Sequence, residues 1–265
     1  MVDRELAAAA RDEPALDVVF DADLTPEELA GSIARRLMWE VAECRTALSA
    51  ELVLSDFMGI TRLACPPNAV WDEQSEAVDA LMREVTVITE RDGSPAALAL
   101  LRVISVIAVH DVSKRAAVAA RRLADAGVPD RPWARLLGRP TFVKAWRYAD
   151  IYGFQESVSV IFDYASREHV VSVLIDHPLG GGVKDSWVAE GRRVHRFRAV
   201  ASQQTRENDD TFVEDLAVEQ AHDLLRVVLG NPTCPEHSDQ IQDVACYLPV
   251  IAARVSLLGA MAKGG

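Results

Sequence analysis

Four acidic and histidine residues near the middle of the chain come closest to a catalytic or metal-binding set. They are Asp163, Asp176, His177 and Asp185, and Lys184 lies beside the last of them. Carboxylates and an imidazole at one edge of a sheet suit a divalent metal or acid–base chemistry. This set predicts a metal-dependent hydrolase. A divalent metal is the one cofactor that it suggests, and no other cofactor is predicted.

A second interpretation of the same residues is structural. Adjacent residues in a strand point to opposite faces, so Asp176 and His177 converge only if the strand ends between them. In the structural interpretation, Asp176 accepts hydrogen bonds from the backbone amides of the glycine turn, and His177-Pro178 simply ends the strand. We favour this interpretation because Asp and His beside glycines make turns more often than sites.

Gly180, Gly181 and Gly182 follow directly and are a candidate anion-binding loop, since consecutive backbone amides can surround a phosphate. The loop lacks the lysine and threonine that end a P-loop, and no clear helix follows it. A positive φ angle in a loop between strands is the better reason for glycine here.

The chain has one basic run, and it is predicted to lie on a strand over 194–200. Alternation along that strand would place Arg192, Arg196 and Arg198 on one face. Such a face could bind nucleic acid or an acidic partner. We favour a solvated edge strand whose positive charge discourages aggregation.

Other chemical signatures are weak or absent. Cys234, His237 and Cys246 are soft ligands, but their spacing matches no standard zinc pattern. No Gly-x-Ser-x-Gly, His-Glu-x-x-His or dinucleotide fingerprint is present.

Dense β-forming residues predict the elements around the glycines. Strands are expected over 154–165, 169–176, 183–189 and 194–200, joined by short turns. Four successive strands with short connections favour an antiparallel meander.

Capping signals and apolar periodicity predict helices on both sides of the strands. Thr25-Pro26 opens a long helix to about Met58, with Gly59 as its stop, and Asp92-Gly93 and Ser94-Pro95 separate two later helices. Further helices are predicted over 73–90, 113–126, 132–138, 140–148, 211–230 and 239–258.

These elements predict an α+β protein that is predominantly helical, with a central antiparallel β-meander of three to four strands. We divide it into an N-terminal helical part, 1–93, and a second part, 94–265, which holds a helical hairpin, the meander and the C-terminal helices. The alternative is that both parts form one continuous domain.

The composition of the chain indicates its cellular compartment and the kinds of partner that it can bind. The formal net charge of −12 disfavours long-range attraction to nucleic acid or anionic membranes. The cysteines show no disulfide-framework spacing, no signal peptide is evident, and no apolar run approaches the ~18 residues of a membrane span. A cytoplasmic protein without a membrane segment is therefore expected.

The block from Ile175 to Asp185, IDHPLGGGVKD, resembles a "VDHNLGG-x-x-KDA" stretch of uncharacterised bacterial proteins, chiefly from actinobacteria. Segments 132–133, 138–143 and 145–147 are also similar, so the resemblance covers about 95–262. Pro178 stands where that family has Asn, and Ser186-Trp187 replace Ala and a smaller aromatic residue. The resemblance implies one folding unit and carries no activity.

The leading hypothesis is a non-catalytic cytosolic interaction or regulatory protein that binds a protein partner, because amphipathic helices are many and enzyme signatures are absent. The alternative is the metal-dependent hydrolase described above. A second alternative is nucleic-acid binding through the arginine-rich strand, which the net charge disfavours.

Overall fold

The structure is a computed structural model that describes residues 25–66, 69–178, 180–230 and 241–263. Over these residues the chain forms eight α-helices and one five-stranded antiparallel sheet. The α+β class with a predominance of helix is therefore confirmed, and the sheet has one strand more than the predicted three to four.

The chain divides into two compact units, and the boundary falls between Gly138 and Arg139. The division predicted from the sequence lay 45 residues earlier, at 93/94. Helix α4 (Pro95–Ile107) explains the difference, because it packs against the other helices of the N-terminal unit. Its apolar residues surround the helix almost completely, so it needs helices on several sides. Its buried residues are Ala97, Leu98, Ala99, Leu100, Leu101, Val103, Ile104 and Ile107.

The N-terminal unit begins with two helices where one was predicted. Helix α1 (Pro26–Glu43) starts at the expected capping box of Thr25 and Glu28. A second capping pair, Thr46 and Ser49, starts helix α2 (Ala47–Leu63). Because this reciprocal pair satisfies the free amides of a helix start, the chain breaks at 44–46, and Gly59 lies inside α2.

The remaining helices of this unit follow their sequence signals more closely. Helix α3 (Trp71–Asp92) ends at Gly93, whose φ is +69°, and Ser94 accepts from the amide of Ala97 to cap α4. Helix α5 (His110–Asp125) begins before the predicted cap, because Ser113 Oγ donates to the carbonyl of Ser105 at 2.6 Å. A single 3₁₀ turn, Ala134–Leu136, replaces the helix predicted over 132–138.

The C-terminal unit is built on the sheet, whose strand order is β4-β3-β2-β1-β5. The strands are β1 (Thr141–Asp150), β2 (Gln155–Asp163), β3 (Glu168–Asp176), β4 (Gly182–Glu190) and β5 (Thr211–Leu216). Strands β2, β3 and β4 form the predicted meander. Strand β1 was predicted as a helix over 140–148, and β5 as the start of a helix at Thr211; both predictions were wrong.

The predicted strand over 194–200 is also wrong, since Arg193–Glu207 form helix α6. Gly191, with φ +63°, reverses the chain after β4. Val194, Phe197 and Ala201 then recur at three- and four-residue steps and are buried. This spacing gives α6 an apolar stripe that a strand would divide between two faces.

Each face of the sheet is covered. On one face, α6 closes a buried cluster over β1 to β4. The members of that cluster are Trp146, Ile161, Val170, Leu174, Trp187, Ala189, Val194 and Phe197. Helix α7 (Val218–Gly230) packs on the sheet and on helix α8 (Ile241–Ala262), which lies against β4.

Helix α8 is long and apolar enough to cross a membrane, by length and composition only. The expectation that no run in the chain reaches this length and composition was therefore wrong. Most of the helix is buried in the structure, and a core helix of a soluble protein meets the same criteria. The cytoplasmic location stays a prediction.

Candidate functional site

The glycine block forms the turn between β3 and β4. Gly180 and Gly181 have φ angles of +92° and +74°, so both occupy the region that favours glycine. The amide of Gly180 donates to the carbonyl of His177 at 3.0 Å, and the amide of Gly181 donates to the carbonyl of Asp176 at 2.9 Å. Gly182 is the first residue of β4. The predicted use of glycine for positive φ is confirmed at the first two positions.

Asp176 ends β3 with its side chain buried. Its Oδ2 accepts from Gln155 Nε2 at 2.7 Å and lies 3.3 Å from Lys184 Nζ. Lys184 occupies an irregularity in the β3–β4 ladder, because Leu174 pairs with Asp185 and the next residue pairs with Val183. The bulge therefore brings a lysine to the carboxylate, as an ion pair.

His177 bonds on the other side of the sheet. Its Nε2 lies 3.0 Å from Oε1 of Glu156, which accepts the hydrogen bond. Glu156 pairs with Ile175, so it shares a face with Ile175 and not with Asp176. The neighbouring carboxylate and imidazole thus diverge onto opposite faces of the sheet.

Asp163 lies at the far end of the hairpin. It pairs with Glu168 at the start of β3, while Asp176 ends the same strand. Eight residues at about 3.3 Å each separate the two ends by roughly 25 Å. Asp163 Oδ2 accepts from the amide of Ser166 in the hairpin turn. The structure therefore does not bring the four predicted catalytic residues together, because antiparallel register sends the ends of β2 and β3 apart.

Asp185 is buried on β4 and its Oδ1 accepts from the amide of Ser186 at 2.7 Å. Within the described parts of the chain, no group of three or more His, Cys, Asp and Glu side chains is placed to hold a metal ion. Cys234 and His237 lie outside the described residues.

The arginines lie on α6 and on the turn before it. A step of four residues keeps Arg192 and Arg196 on one side of a helix, and both are exposed. Arg198 points elsewhere: it donates to Asp215 on β5 and stands over the ring of Trp146 at 5.6 Å. This hydrogen bond from Arg198 lowers the pKa of Asp215. The single basic face predicted for a strand is therefore divided by the helix.

A groove between α6 and the sheet, with a volume of about 410 Å³, is lined by Lys144, Arg198 and His195. Each of these cationic or basic groups faces a carboxylate. Lys144 Nζ is 3.7 Å from Asp215 Oδ1, and His195 Nε2 is 3.3 Å from Glu168 Oε2. The groove is therefore largely neutralised within the protein.

Among the described residues of the C-terminal unit, the turn between β1 and β2 holds three of the five exposed large apolar side chains. Ile151, Tyr152 and Phe154 are 58%, 60% and 58% exposed. The rings of Tyr152 and Phe154 stack with their centroids 5.8 Å apart. We call the segment 151–154 the aromatic turn. Large apolar side chains clustered on a surface mark an interaction site more often than single ones do.

The carboxylate of Asp150 holds the aromatic turn in place. Oδ1 accepts from the amides of Tyr152 and Phe154 at 2.9 and 3.1 Å, and Oδ2 accepts from Gln155 at 2.6 Å. Burial raises the pKa of Asp150, but these amide hydrogen bonds outweigh it and the net pKa is lowered. Gly153, with φ +71°, allows the chain to reverse.

An acidic loop borders the aromatic turn. The amide of Ile151 donates to the carbonyl of Asp210 at 2.8 Å. The hydrogen bond between Tyr152 and the side chain of Asp210 is the largest reason that the pKa of Tyr152 is raised, and the charges of Asp210 and Asp150 add to it. Glu207, the last residue of α6, and Asp209, on the same loop as Asp210, are exposed. We call Glu207, Asp209 and Asp210 the acidic rim.

The sequence analysis did not identify the aromatic turn. Its signal is an Asp followed three residues later by a Gly, which is typical of a side-chain-capped turn. The segment fell between the helix predicted over 140–148 and the strand predicted from Phe154, so its exposed residues were not recognised as a surface.

Comparison of the chain with protein-family models, curated proteins and solved structures found no match. The resemblance to the actinobacterial proteins therefore stays a prediction.

Proposed function

We propose that this protein is a non-catalytic interaction protein and that it binds a protein partner through the aromatic turn. One observation carries the proposal: three large apolar side chains within four residues stand more than half exposed on a turn that the protein itself holds rigid. When a partner buries such side chains, apolar surface is removed from water, which favours binding by about 25 cal/mol for each Å² buried.

The rigidity of the turn supports binding. A side chain or loop that is ordered before association loses less conformational entropy on binding. Three amide hydrogen bonds to Asp150, a glycine with positive φ and stacked aromatic rings restrict the turn in this way. Tyrosine is also enriched among residues that dominate binding energy.

The two other functions receive less support. Asp163 lies at the opposite end of the hairpin from Asp176, and His177 bonds on the opposite face, so the predicted hydrolase residues share no cleft. The arginines are divided between the sides of α6, and Arg198 is paired with Asp215.

The proposal is tested by affinity capture from a lysate of cells that naturally express the protein, followed by titration of the purified partner. We compare the wild type with Tyr152→Ala/Phe154→Ala. The matched control is Val227→Ala, whose side chain on α7 is 62% exposed. Because a dominant interface residue contributes about 2 kcal/mol or more, we expect Kd to rise roughly 30-fold in the double variant and to stay unchanged in the control.

Removal of exposed side chains should leave the fold intact, and circular dichroism with a thermal melt verifies this. If a folded double variant binds every captured partner as tightly as the wild type does, the aromatic turn is not the binding surface.

A further inference from the structure

We infer that the partner presents a cationic protein segment, in which Lys or Arg side chains flank the apolar residues that contact the aromatic turn. The inference rests on the proposed function and names the chemistry of its partner. It follows from the charges that surround Ile151, Tyr152 and Phe154.

The acidic rim is the first of these charges. Asp210 is fixed beside the turn because its carbonyl accepts from the amide of Ile151, and its side chain raises the pKa of Tyr152. Asp209 precedes it on the exposed loop, and Glu207 ends α6 just before that loop. Asp150 adds a further negative charge at the base of the turn.

The balance of charge at this end of the sheet is negative. Four carboxylates, at Asp150, Glu207, Asp209 and Asp210, lie in the turn, at the end of α6 and in the loop that follows it, beside Arg206. The other cations at this end are ion-paired: Lys184 with Asp176 and Arg147 with Glu214. Complementary potentials guide association and disfavour wrong partners, so a cationic segment fits this surface.

The same charges argue against a membrane as the occupant. Exposed aromatic residues can also enter a lipid interface. However, anionic leaflets attract basic segments and repel acidic ones. The acidic rim lies directly beside the apolar tip, and the whole chain carries a net charge of −12. We therefore assign the surface to a protein segment.

The test uses the purified full-length protein to select binders from a phage-displayed library of random peptides. Selected peptides are synthesised and their affinities are measured by fluorescence anisotropy against the wild type, Phe154→Ala and Glu207→Lys/Asp209→Lys. The control is Glu190→Lys, an exposed residue that pairs with His169 at the opposite end of the sheet. Vesicles of phosphatidylcholine with and without phosphatidylglycerol are a separate probe.

We expect selected peptides to combine Lys or Arg with apolar residues and to lose affinity for Phe154→Ala. Because an exposed charge pair contributes up to about 1 kcal/mol, reversal of two rim charges should raise Kd roughly fivefold or more, while Glu190→Lys leaves it unchanged. Raising the salt from about 0.05 M to about 0.5 M should weaken wild-type binding, since it shortens the screening length.

Two results would overturn the reasoning at different levels. Peptides that need Phe154 but lack cationic residues, or that bind the rim variant equally well, refute the inference and leave the proposed function standing. If no peptide is enriched, if the enriched peptides bind regardless of Phe154, or if the protein binds vesicles through the turn, the proposed function fails and the inference fails with it.

Discussion

Acid should destabilise this protein through one buried histidine, His169. The residue is fully buried on β3, between the rings of Phe162 and Tyr164, with centroids 5.7 and 5.4 Å away. Its Nε2 accepts from Arg254 Nε at 3.1 Å, so the imidazole is neutral and Nδ1 carries the proton. Nδ1 is buried and has no hydrogen-bond partner among the described residues.

This environment lowers the pKa of His169 from 6.5 to about 2, first because burial penalises the charged ring and second because Arg254 is positive. Below pH 6.5 the unfolded chain binds a proton at this position that the folded chain does not bind. Stability therefore falls as the pH falls, by about 1.4 kcal/mol per pH unit. Between pH 7.5 and 4.5 the loss at this position amounts to about 2.7 kcal/mol.

The assay compares the wild type with His169→Gln in urea unfolding at several pH values. Glutamine keeps a carbonyl acceptor for Arg254 but does not titrate in this range. Other groups contribute similarly to both proteins, so the difference between their free energies of unfolding isolates the histidine. We expect the free energy of unfolding of the wild type minus that of the variant to fall by about 2.7 kcal/mol between pH 7.5 and 4.5.

A difference that stays constant over this range would show that His169 accepts a proton in the folded protein near its usual pKa. The account of a neutral, buried acceptor for Arg254 would then be incorrect. If the variant does not fold, a measurement on the wild type tests the same point. An NMR titration of the His169 ring should show no protonation down to pH 4.5.

Two further predictions concern the C-terminal unit. The β2–β3 turn places Ala165 and Ser166 at φ +51° and +77°, a region that strains residues other than glycine. Ser166→Gly should therefore raise the free energy of unfolding by about 0.5–1 kcal/mol in urea titrations. An unchanged or lower value would contradict backbone strain at this position. Phe197→Ala should lower the free energy of unfolding by about 3–5 kcal/mol, because Phe197 is buried in the cluster beneath α6. Arg196 is exposed, so Arg196→Ala should change it by less than about 0.5 kcal/mol in the same urea titrations; equal losses would refute the burial of Phe197 in that cluster.

The helix boundaries show how much local chemistry can predict. Thr25 with Glu28, Gly93, and Ser94 before Pro95 begin or end helices as predicted, because each satisfies backbone groups within a few residues of itself. The pair of Thr46 and Ser49 follows the same rule and was missed inside a continuous apolar stripe. Local hydrogen bonds need no tertiary partner, so their sequence signals are reliable.

Strand β1 and helix α6 show where local chemistry is insufficient. Thr141–Asp150 becomes a strand because β2 and β5 pair with it on both sides, and β5 is more than 60 residues away in sequence. Val194–Val200 contains β-branched residues, yet the segment folds as a helix because Val194 and Phe197 pack on Trp187 and its neighbours. Pairing and packing across the fold decide between the two structures.

By itself, the sequence determined the α+β class, the strands β2 to β4, the positive φ angles of Gly180 and Gly181, and the acidic charge of the chain. The tertiary structure alone decided which side chains meet. Antiparallel register moved Asp163 to the opposite end of the hairpin from Asp176, and the pleat turned His177 toward Glu156. The aromatic turn became a surface because pairing of β1 with β2 and β5 places residues 151–154 beyond the sheet, where Asp150 and Asp210 hold them exposed.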